Sequence, residues 1–169
     1  MVIWITGLAG AGKSTVARGV AQLLRDEGAS VVLLDGDELR EVFGGTHGYD
    51  ATSREKLAAR YARLCVLIAE QGPIVICATI SLFHSVQRWN RTHIPGYIEV
   101  YLRVSPEICR QRGREMLYGD QTQLVVGQQI AAEEPELPDL VLDNGDGANV
   151  ESLVSALHGF LKPKLVASA

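Results

Sequence analysis

The sequence has few cysteines, no excess of basic residues and no long hydrophobic run. Its three cysteines, Cys65, Cys77 and Cys109, lie far apart with no CxxC spacing, which excludes a disulfide scaffold and a zinc-finger site. Sixteen Lys and Arg stand against 20 Asp and Glu, too few for sequence-independent binding to a phosphate polymer. No apolar segment approaches the length of a membrane span, which is about 20 residues. We therefore expect reduced core cysteines in a cytoplasmic protein, with neither a nucleic acid polymer nor a membrane as a partner.

Two further signals are missing. Met1 runs straight into the apolar stretch 2–5 without a basic region or a cleavage site, so we expect no secretion signal. The four histidines, at positions 47, 84, 93 and 158, show no metal-ligand spacing. We expect each of them to be a surface or hydrogen-bonded residue.

The composition that remains is that of one globular domain. Apolar residues form 47% and charged residues 21% of the 169 residues, which is enough to bury a core without disulfide or metal support. We predict a single domain over residues 1–161 and a frayed tail over residues 162–169.

Short β-branched runs alternate with helical stretches along the chain. This alternation predicts an α/β fold in which helices cover both faces of a five-stranded parallel sheet. The predicted strands are 2–5, 31–34, 74–80, 97–102 and 140–142. One helix is predicted over 14–27, and a second starts at a capping box formed by Thr52 and Glu55 and ends at Gly72-Pro73. The long irregular stretch 113–138 is typical of a lid.

The strongest motif directly follows the first predicted strand. Residues 7–15 read GLAGAGKST, which matches the P-loop pattern G-x-x-x-x-G-K-[ST] at the junction of a strand and a helix. Such a loop turns successive backbone N–H groups toward phosphates, with a lysine against the β- and γ-phosphates and a hydroxyl on Mg²⁺. The predicted ATP-binding residues are Gly7, Gly10, Ala11, Gly12, Lys13, Ser14 and Thr15, with Ser14 also on the metal. A dinucleotide fingerprint is excluded by the glycine spacing.

Two carboxylates follow the second predicted strand. Asp35 and Asp37 stand in the run LLDGDELR, at the sheet edge where ligands of open α/β folds bind. One carboxylate could hold the water shell of the metal while the other accepts the proton of an attacking hydroxyl. Arg40, three residues after Asp37, could grip an anionic acceptor. The alternative is a solvated surface turn.

Together with further stretches of the sequence, these motifs resemble the adenylylsulfate kinase family. The P-loop, the LLDGDELR run, the ATIS stretch 78–81, the strand YIEVYL and the segment PELPDLVLD carry the resemblance, which runs from about Val2 to Asn144. It implies a P-loop nucleotide-kinase fold, usually dimeric. It also implies an enzyme that uses Mg²⁺ and ATP to phosphorylate the ribose 3′-hydroxyl of adenosine 5′-phosphosulfate.

The resemblance also implies roles for individual residues. Asp35 and Asp37 would supply the metal and base contacts, with Asp35 on the metal, and Lys13 would act in catalysis. The acceptor would be held by Asp37, Arg40, Arg54, Ile80 and Ser81, while Tyr49 would stack on its base. Ser81 occupies the place of a transient phosphoserine, and Arg112 resembles an arginine that stacks on the adenine of ATP.

Departures from the family pattern fall on the acceptor side. Leu57 replaces a side-chain amide, Leu82-Phe83-His84 replaces Pro-Tyr-Arg, and the lid lacks its usual basic cluster. The residues Trp89, Asn90, Arg91 and His93 resemble a subgroup that includes a cytidine diphosphoramidate kinase. Trp89 could equally be a helix residue that packs on the sheet.

Two other functions remain open at this stage. A regulatory P-loop switch would carry an N-K-x-D motif and a D-x-x-G motif, which this sequence lacks. A sugar-acid or antibiotic kinase on the same core has only the analogy of the fold to support it.

Overall fold

The fold is a five-stranded parallel sheet flanked by helices, as predicted. A computed structural model of the chain describes residues 1–44, 48, 50–112 and 130–166. The strands are β1 (Val2–Thr6), β2 (Val31–Asp35), β3 (Ile74–Thr79), β4 (Tyr97–Arg103) and β5 (Leu140–Asp143). All pairs are parallel in the order β2-β3-β1-β4-β5. Their near-continuous apolar sequences suit a sheet that is buried on both faces.

Six helices join these strands in the described part of the chain. They are α1 (Lys13–Asp26), α2 (Gly36–Val42), α3 (Ala51–Ala69), α4 (His84–His93), α5 (Pro106–Gln111) and α6 (Val150–Val166). Helix α1 packs on α6 and α3 packs on α4, while α1 and α3 each contact β1 and β3. Such pairs are what a sheet covered on both faces requires. Across the described ranges, no helix combines the length and apolar character needed to cross a membrane.

The start of α3 differs from the prediction. Asp50 is its N-cap, because the backbone N–H of Ser53 donates to Asp50 Oδ1 (2.9 Å) and the Ser53 hydroxyl donates to Oδ2 (2.6 Å). These hydrogen bonds lower the pKa of Asp50. The predicted capping box of Thr52 and Glu55 is therefore wrong, and Glu55 instead accepts a hydrogen bond from the Ser85 hydroxyl of α4. The helix ends at Ala69, and Gly72 has the predicted left-handed conformation (φ 108°).

The C-terminal segment also differs from its prediction. Helix α6 continues to Val166, past the predicted end at residue 161. Leu161 is fully buried and Leu165 packs against the core, while Lys162 pairs with Glu27 of α1 at 3.0 Å. Apolar packing and this ion pair extend the helix into the predicted tail, of which only residues 167–169 lie outside the described residues.

The structure describes only the second part of the predicted lid, residues 130–138. Residues 113–129 lie outside the described residues, so the lid remains a prediction there. The predicted boundary at Pro138 also stays a prediction, and within residues 133–137 the structure shows backbone and side-chain hydrogen bonds with α4. The three cysteines are buried thiols without a disulfide, as predicted.

Candidate functional site

The predicted site residues meet in one cleft of about 480 Å³ beside the P-loop. It is bordered by the segments that follow β1, β2 and β3, as expected of a ligand site in an open parallel sheet. The predicted residues that line it are Gly10, Gly12, Lys13, Ser14, Thr15, Asp35, Asp37, Arg40, Arg54, Ile80, Ser81 and Arg112. Gly7 and Ala11 belong to the loop without lining the cleft, and Tyr49 lies outside the described residues.

The P-loop owes its shape to close backbone contacts. A Cβ at Gly7 (φ 154°) would lie 2.5 Å from the carbonyl oxygen of Leu102, and one at Gly12 (φ 93°) would lie 2.8 Å from Asn144 Nδ2. Only glycine fits these positions without a shift of neighbouring atoms. Gly12 is the N-cap of α1 and carries no side chain, and no acidic residue lies in the first turn. Gly12 and Lys13 line the cleft, so the positive end of α1 faces it, which suits a phosphate.

Lys13 is held inside this loop. Its Nζ donates a hydrogen bond to the carbonyl oxygen of Leu8 (2.7 Å), and the residue is 9% exposed. An ammonium group in such a buried place requires hydrogen-bond acceptors or negative charge. Phosphate oxygens in the P-loop would supply that charge.

The carboxylate pair is ordered by the start of α2. Asp35 is the N-cap of this helix, and its Oδ1 accepts a hydrogen bond from the backbone N–H of Asp37 (3.0 Å). Asp35 is 7% exposed, and its other oxygen lies 3.8 Å from the exposed guanidinium of Arg18. Ser14 and Asp35 thus present a hydroxyl and a carboxylate to one cleft, and these oxygen ligands fit Mg²⁺. Asp37, two residues further along, lines the same cleft.

The stretch after β3 has an unusual backbone. Ser81 has a φ of 24° and is the one non-glycine residue with a positive φ among those the structure describes. Its hydroxyl lies 2.8 Å from that of Thr79, and the Thr6 hydroxyl donates to the carbonyl oxygen of Ile80. Residues held in such sparsely populated conformations cluster at functional sites. Ser81 is 5% exposed, and its proposed phosphorylation stays a prediction.

Helix α3 contributes part of the cleft wall. Arg54, Leu57, Ala58 and Tyr61 all line the cleft, at the spacing that places residues on one helical face. Burial raises the pKa of Tyr61, so its phenol stays protonated and donates to the carbonyl oxygen of Gly36 (3.3 Å). Sequence reasoning missed Ala58 and Tyr61 as site residues, although extending the helical period from Arg54 would have found both.

Asn144 is a second residue that sequence reasoning missed. Its Nδ2 donates to the carbonyl oxygen of Ala11 (2.8 Å), and the residue is 4% exposed. Arg112 donates to the carbonyl oxygens of Asn144 (2.8 Å) and Gly145 (3.0 Å). The Arg112 side chain is thereby tied to the loop after β5, which also holds the P-loop. No sequence motif marked Asn144, because the contact joins segments that are 133 residues apart.

The residues that resemble the cytidine diphosphoramidate subgroup lie outside the cleft. Trp89 stacks on His93 (4.6 Å between ring centroids), and Asn90 donates to the Tyr97 hydroxyl (3.3 Å). Arg91 pairs with Glu99 at 3.2 Å and with Asp139 at 3.0 Å. Burial raises the pKa of Glu99, which is 2% exposed. These residues fasten α4 to β4 and to the segment before β5.

His84 likewise makes its contacts away from the cleft. Its Nε2 lies 2.8 Å from the carbonyl oxygen of Glu134, whereas its neighbour Phe83 lines the cleft. The departure Leu82-Phe83-His84 was expected on the acceptor side, and of these three residues Phe83 alone lines the cleft. Of the departures that fall on described residues, Leu57 and Phe83 line the cleft, and Leu57 is 4% exposed.

Comparison with known proteins agrees with this geometry. A sequence model of the Adenylylsulphate kinase family matches residues 1–143. The cytidine diphosphoramidate kinase of Campylobacter jejuni is 34% identical over 160 residues, which cover 92% of this chain and 93% of that protein. The probable adenylyl-sulfate kinase of Bacillus subtilis is 35% identical over 170 residues, which cover 97% of this chain and 86% of that protein.

A solved structure supports the fold. The APS kinase of Mycobacterium tuberculosis, in complex with AMPPNP and APS, superposes with a TM-score of 0.81 at 24% identity. The match covers 95% of this chain and 96% of that one. The predicted P-loop kinase fold is therefore confirmed.

Proposed function

This chain belongs to the adenylylsulphate kinase family and is a kinase that uses ATP with Mg²⁺, and we propose that its acceptor is the ribose 3′-hydroxyl of an anionic nucleotide conjugate. Adenosine 5′-phosphosulfate is the first candidate. One observation carries the proposal: the P-loop, the Asp35 and Asp37 pair and the cations Arg40 and Arg54 line the same cleft.

The donor half of the cleft would hold ATP. The backbone of the P-loop and Lys13 would bind the β- and γ-phosphates, and Ser14 and Asp35 would hold Mg²⁺. Bound Mg²⁺ neutralises charge on the phosphate oxygens. Lys13 would stabilise the negative charge that grows on the phosphate oxygens in the transition state, because its ammonium is already held in the P-loop by the carbonyl oxygen of Leu8.

The acceptor half would supply the base and the anion contacts. Asp35 already accepts the N–H of Asp37 and is nearly buried, so we assign it to the metal and assign proton acceptance to Asp37. Asp37 takes the proton of the ribose hydroxyl as that oxygen attacks the γ-phosphorus. The bond between this phosphorus and the β,γ-bridging oxygen breaks, and ADP leaves. Arg40 from α2 and Arg54 from α3 bind the phosphate or sulfate of the conjugate from two sides of the cleft.

A second acceptor has a specific observation in its favour. Leu57 places an apolar side chain on the cleft wall where the family pattern has an amide. A polar atom of the ligand facing Leu57 would lose a hydrogen bond on binding. Cytidine diphosphoramidate is the alternative, since the C. jejuni kinase of that name matches over 93% of its length.

Steady-state kinetics on the two conjugates test the proposal. We expect turnover of at least one of them with ATP and Mg²⁺, and a product whose new phosphate is on the ribose 3′ position by ³¹P NMR. A preference for the cytidine compound of about tenfold or more in kcat/KM, about 1.4 kcal/mol, would replace the first candidate by the second. Turnover of gluconate, with no turnover of any nucleotide conjugate, would overturn both.

We also propose that the protein is a homodimer, on the family resemblance alone. Sedimentation velocity on the full chain tests this directly. A mass near twice the 18.3 kDa of the chain is expected, and a monomer across the micromolar range would contradict it.

A further inference from the structure

Helix α4 begins without a cap of its own. Its N-cap residue is Phe83, whose side chain has no polar atom, although the first N–H groups of a helix need acceptors. Glu133, 49 residues further along the chain, accepts a hydrogen bond from the backbone N–H of His84. Its own N–H donates to the carbonyl oxygen of Leu82 (3.2 Å), and Gln87 Nε2 donates to its carbonyl oxygen (3.1 Å). One distant residue thus supplies the cap.

The segment that carries Glu133 is bound along the whole of α4. We call residues 133–139 the strap. Arg88 donates two hydrogen bonds to the Glu136 carboxylate (3.2 and 3.3 Å), and Arg91 donates to the Leu137 carbonyl oxygen (2.9 Å). The residues of α4 that hold the strap are spaced so that they share one helical face. They are His84, Gln87, Arg88 and Arg91.

Glu133 forms hydrogen bonds with the residues on both sides of Phe83, which lines the cleft. Leu82 and His84 are the two neighbours of Phe83, which lines the cleft, and Ser81 precedes them with its positive φ. The peptide groups on both sides of Phe83 are therefore fixed by one glutamate. Loss of its side chain would leave the first N–H of α4 without its acceptor and free the Phe83 backbone to shift.

We propose that Glu133 is a positioning residue that fixes the places of Ser81 and Phe83, which line the acceptor half of the cleft. It does not line the cleft itself, so it acts through the start of α4. The proposal rests on the proposed function in one respect, because it assumes that the acceptor binds beside Ser81 and Phe83. The donor half should be indifferent to Glu133, since Lys13 and Ser14 are held by the P-loop and α1.

Three variants separate positioning from simple support of the fold. Glu133→Ala removes the acceptor oxygen, Glu133→Gln keeps one, and Glu136→Ala removes a neighbouring strap carboxylate that binds α4 side chains alone. We expect Glu133→Ala to lower kcat/KM for the acceptor about tenfold or more while KM for ATP changes less than about twofold. Glu133→Gln and Glu136→Ala should stay within about threefold of wild type for both substrates.

Two kinetic results would overturn the proposal. One is an equal change of both KM values in Glu133→Ala, which is the signature of general destabilisation. The other is an equal loss in Glu133→Gln, which would show that the capping hydrogen bond is not what matters. Thermal unfolding of each variant shows that the folded protein is being compared.

Amide hydrogen exchange provides a readout that needs no acceptor. Glu133→Ala should speed exchange across residues 84–87, and Glu136→Ala should not. If wild type phosphorylates no nucleotide conjugate, the proposed function fails, and the exchange result still decides whether Glu133 holds α4. Unchanged exchange at His84 in the folded Glu133→Ala variant would overturn the positioning role.

Discussion

The donor and acceptor halves of the cleft are built in different ways. The donor half is largely backbone, and its glycines are required by contacts with Leu102 and Asn144. The acceptor half consists of side chains from α2, α3 and the segment after β3. Backbone geometry leaves little freedom at the phosphates, whereas side chains on separate elements can change one at a time. This contrast explains why the P-loop matches its family while Leu57 and Phe83 do not.

The strongest test of the donor half is Lys13→Ala. We expect turnover to be abolished with the fold intact, because the lost contact is to charge that grows in the transition state, worth about 3 kcal/mol or more. Initial rates at saturating ATP measure the effect. Lys56→Ala is the control, since Lys56 is exposed on α3 and does not line the cleft. Normal turnover by the folded Lys13→Ala variant would refute the P-loop assignment.

The carboxylates sit where the two halves meet. Asp35→Asn and Asp37→Asn should each lower kcat by about 10² to 10⁴-fold, because an amide takes no proton and binds metal poorly. Asparagine still caps a helix, so the Asp35 variant should keep α2 folded, which circular dichroism and thermal unfolding can verify. The double variant should lose much less than the product of the single losses, since the pair acts together.

Glu38→Gln, at an exposed carboxylate of the same helix, should be neutral. Near-normal kcat in both single variants would place the catalysis elsewhere.

The arginines test the acceptor half by itself. Arg40→Ala and Arg54→Ala should each cost about 1.5 to 3 kcal/mol in kcat/KM for the acceptor, because each removes a charged hydrogen-bond donor to its anion. The KM for ATP should hardly change. Arg60→Ala, at an exposed position of α3, is the control. A loss confined to ATP would contradict the division of the cleft into two halves.

The smallest expected effect concerns Leu57. Leu57→Asn returns an amide to the wall and should raise the ratio of kcat/KM for adenosine 5′-phosphosulfate over the cytidine compound by about five- to tenfold, near 1 kcal/mol. Leu57→Met keeps the volume and should leave the ratio unchanged. Because Leu57 is buried, the Asn variant should also unfold at a lower temperature. An unchanged ratio would show that Leu57 does not face the acceptor.

The donor half could be predicted from sequence because its motif is local. Residues 7–15 carry the strand-to-helix turn, the glycines and the lysine within nine positions, and the structure assembles them as expected. The sheet could be predicted for a related reason, since buried parallel strands read as short apolar runs. Asp35 and Asp37 were likewise placed by the end of one strand.

The remaining features depend on contacts between distant parts of the chain. Asn144 reaches Ala11, and Glu133 caps α4, and neither contact leaves a periodic signal in the sequence. The α3 cap was misplaced because Asp50, and not Thr52, accepts the hydrogen bond from the backbone N–H three residues further along. The residues around Trp89 left open whether they serve the site or the packing of a helix, and in the structure their side chains serve the packing of α4.

The most direct test of the central claim compares acceptors that differ only in the anion. The kcat/KM for adenosine 5′-phosphosulfate is measured against that for adenosine, with the cytidine conjugate and cytidine as the second pair, under saturating ATP and Mg²⁺. If Arg40 and Arg54 bind the anion of the acceptor, then in the preferred pair the kcat/KM of the bare nucleoside should be about 100-fold or more below that of its conjugate. Equal turnover of a conjugate and its bare nucleoside would contradict an anion-binding acceptor half.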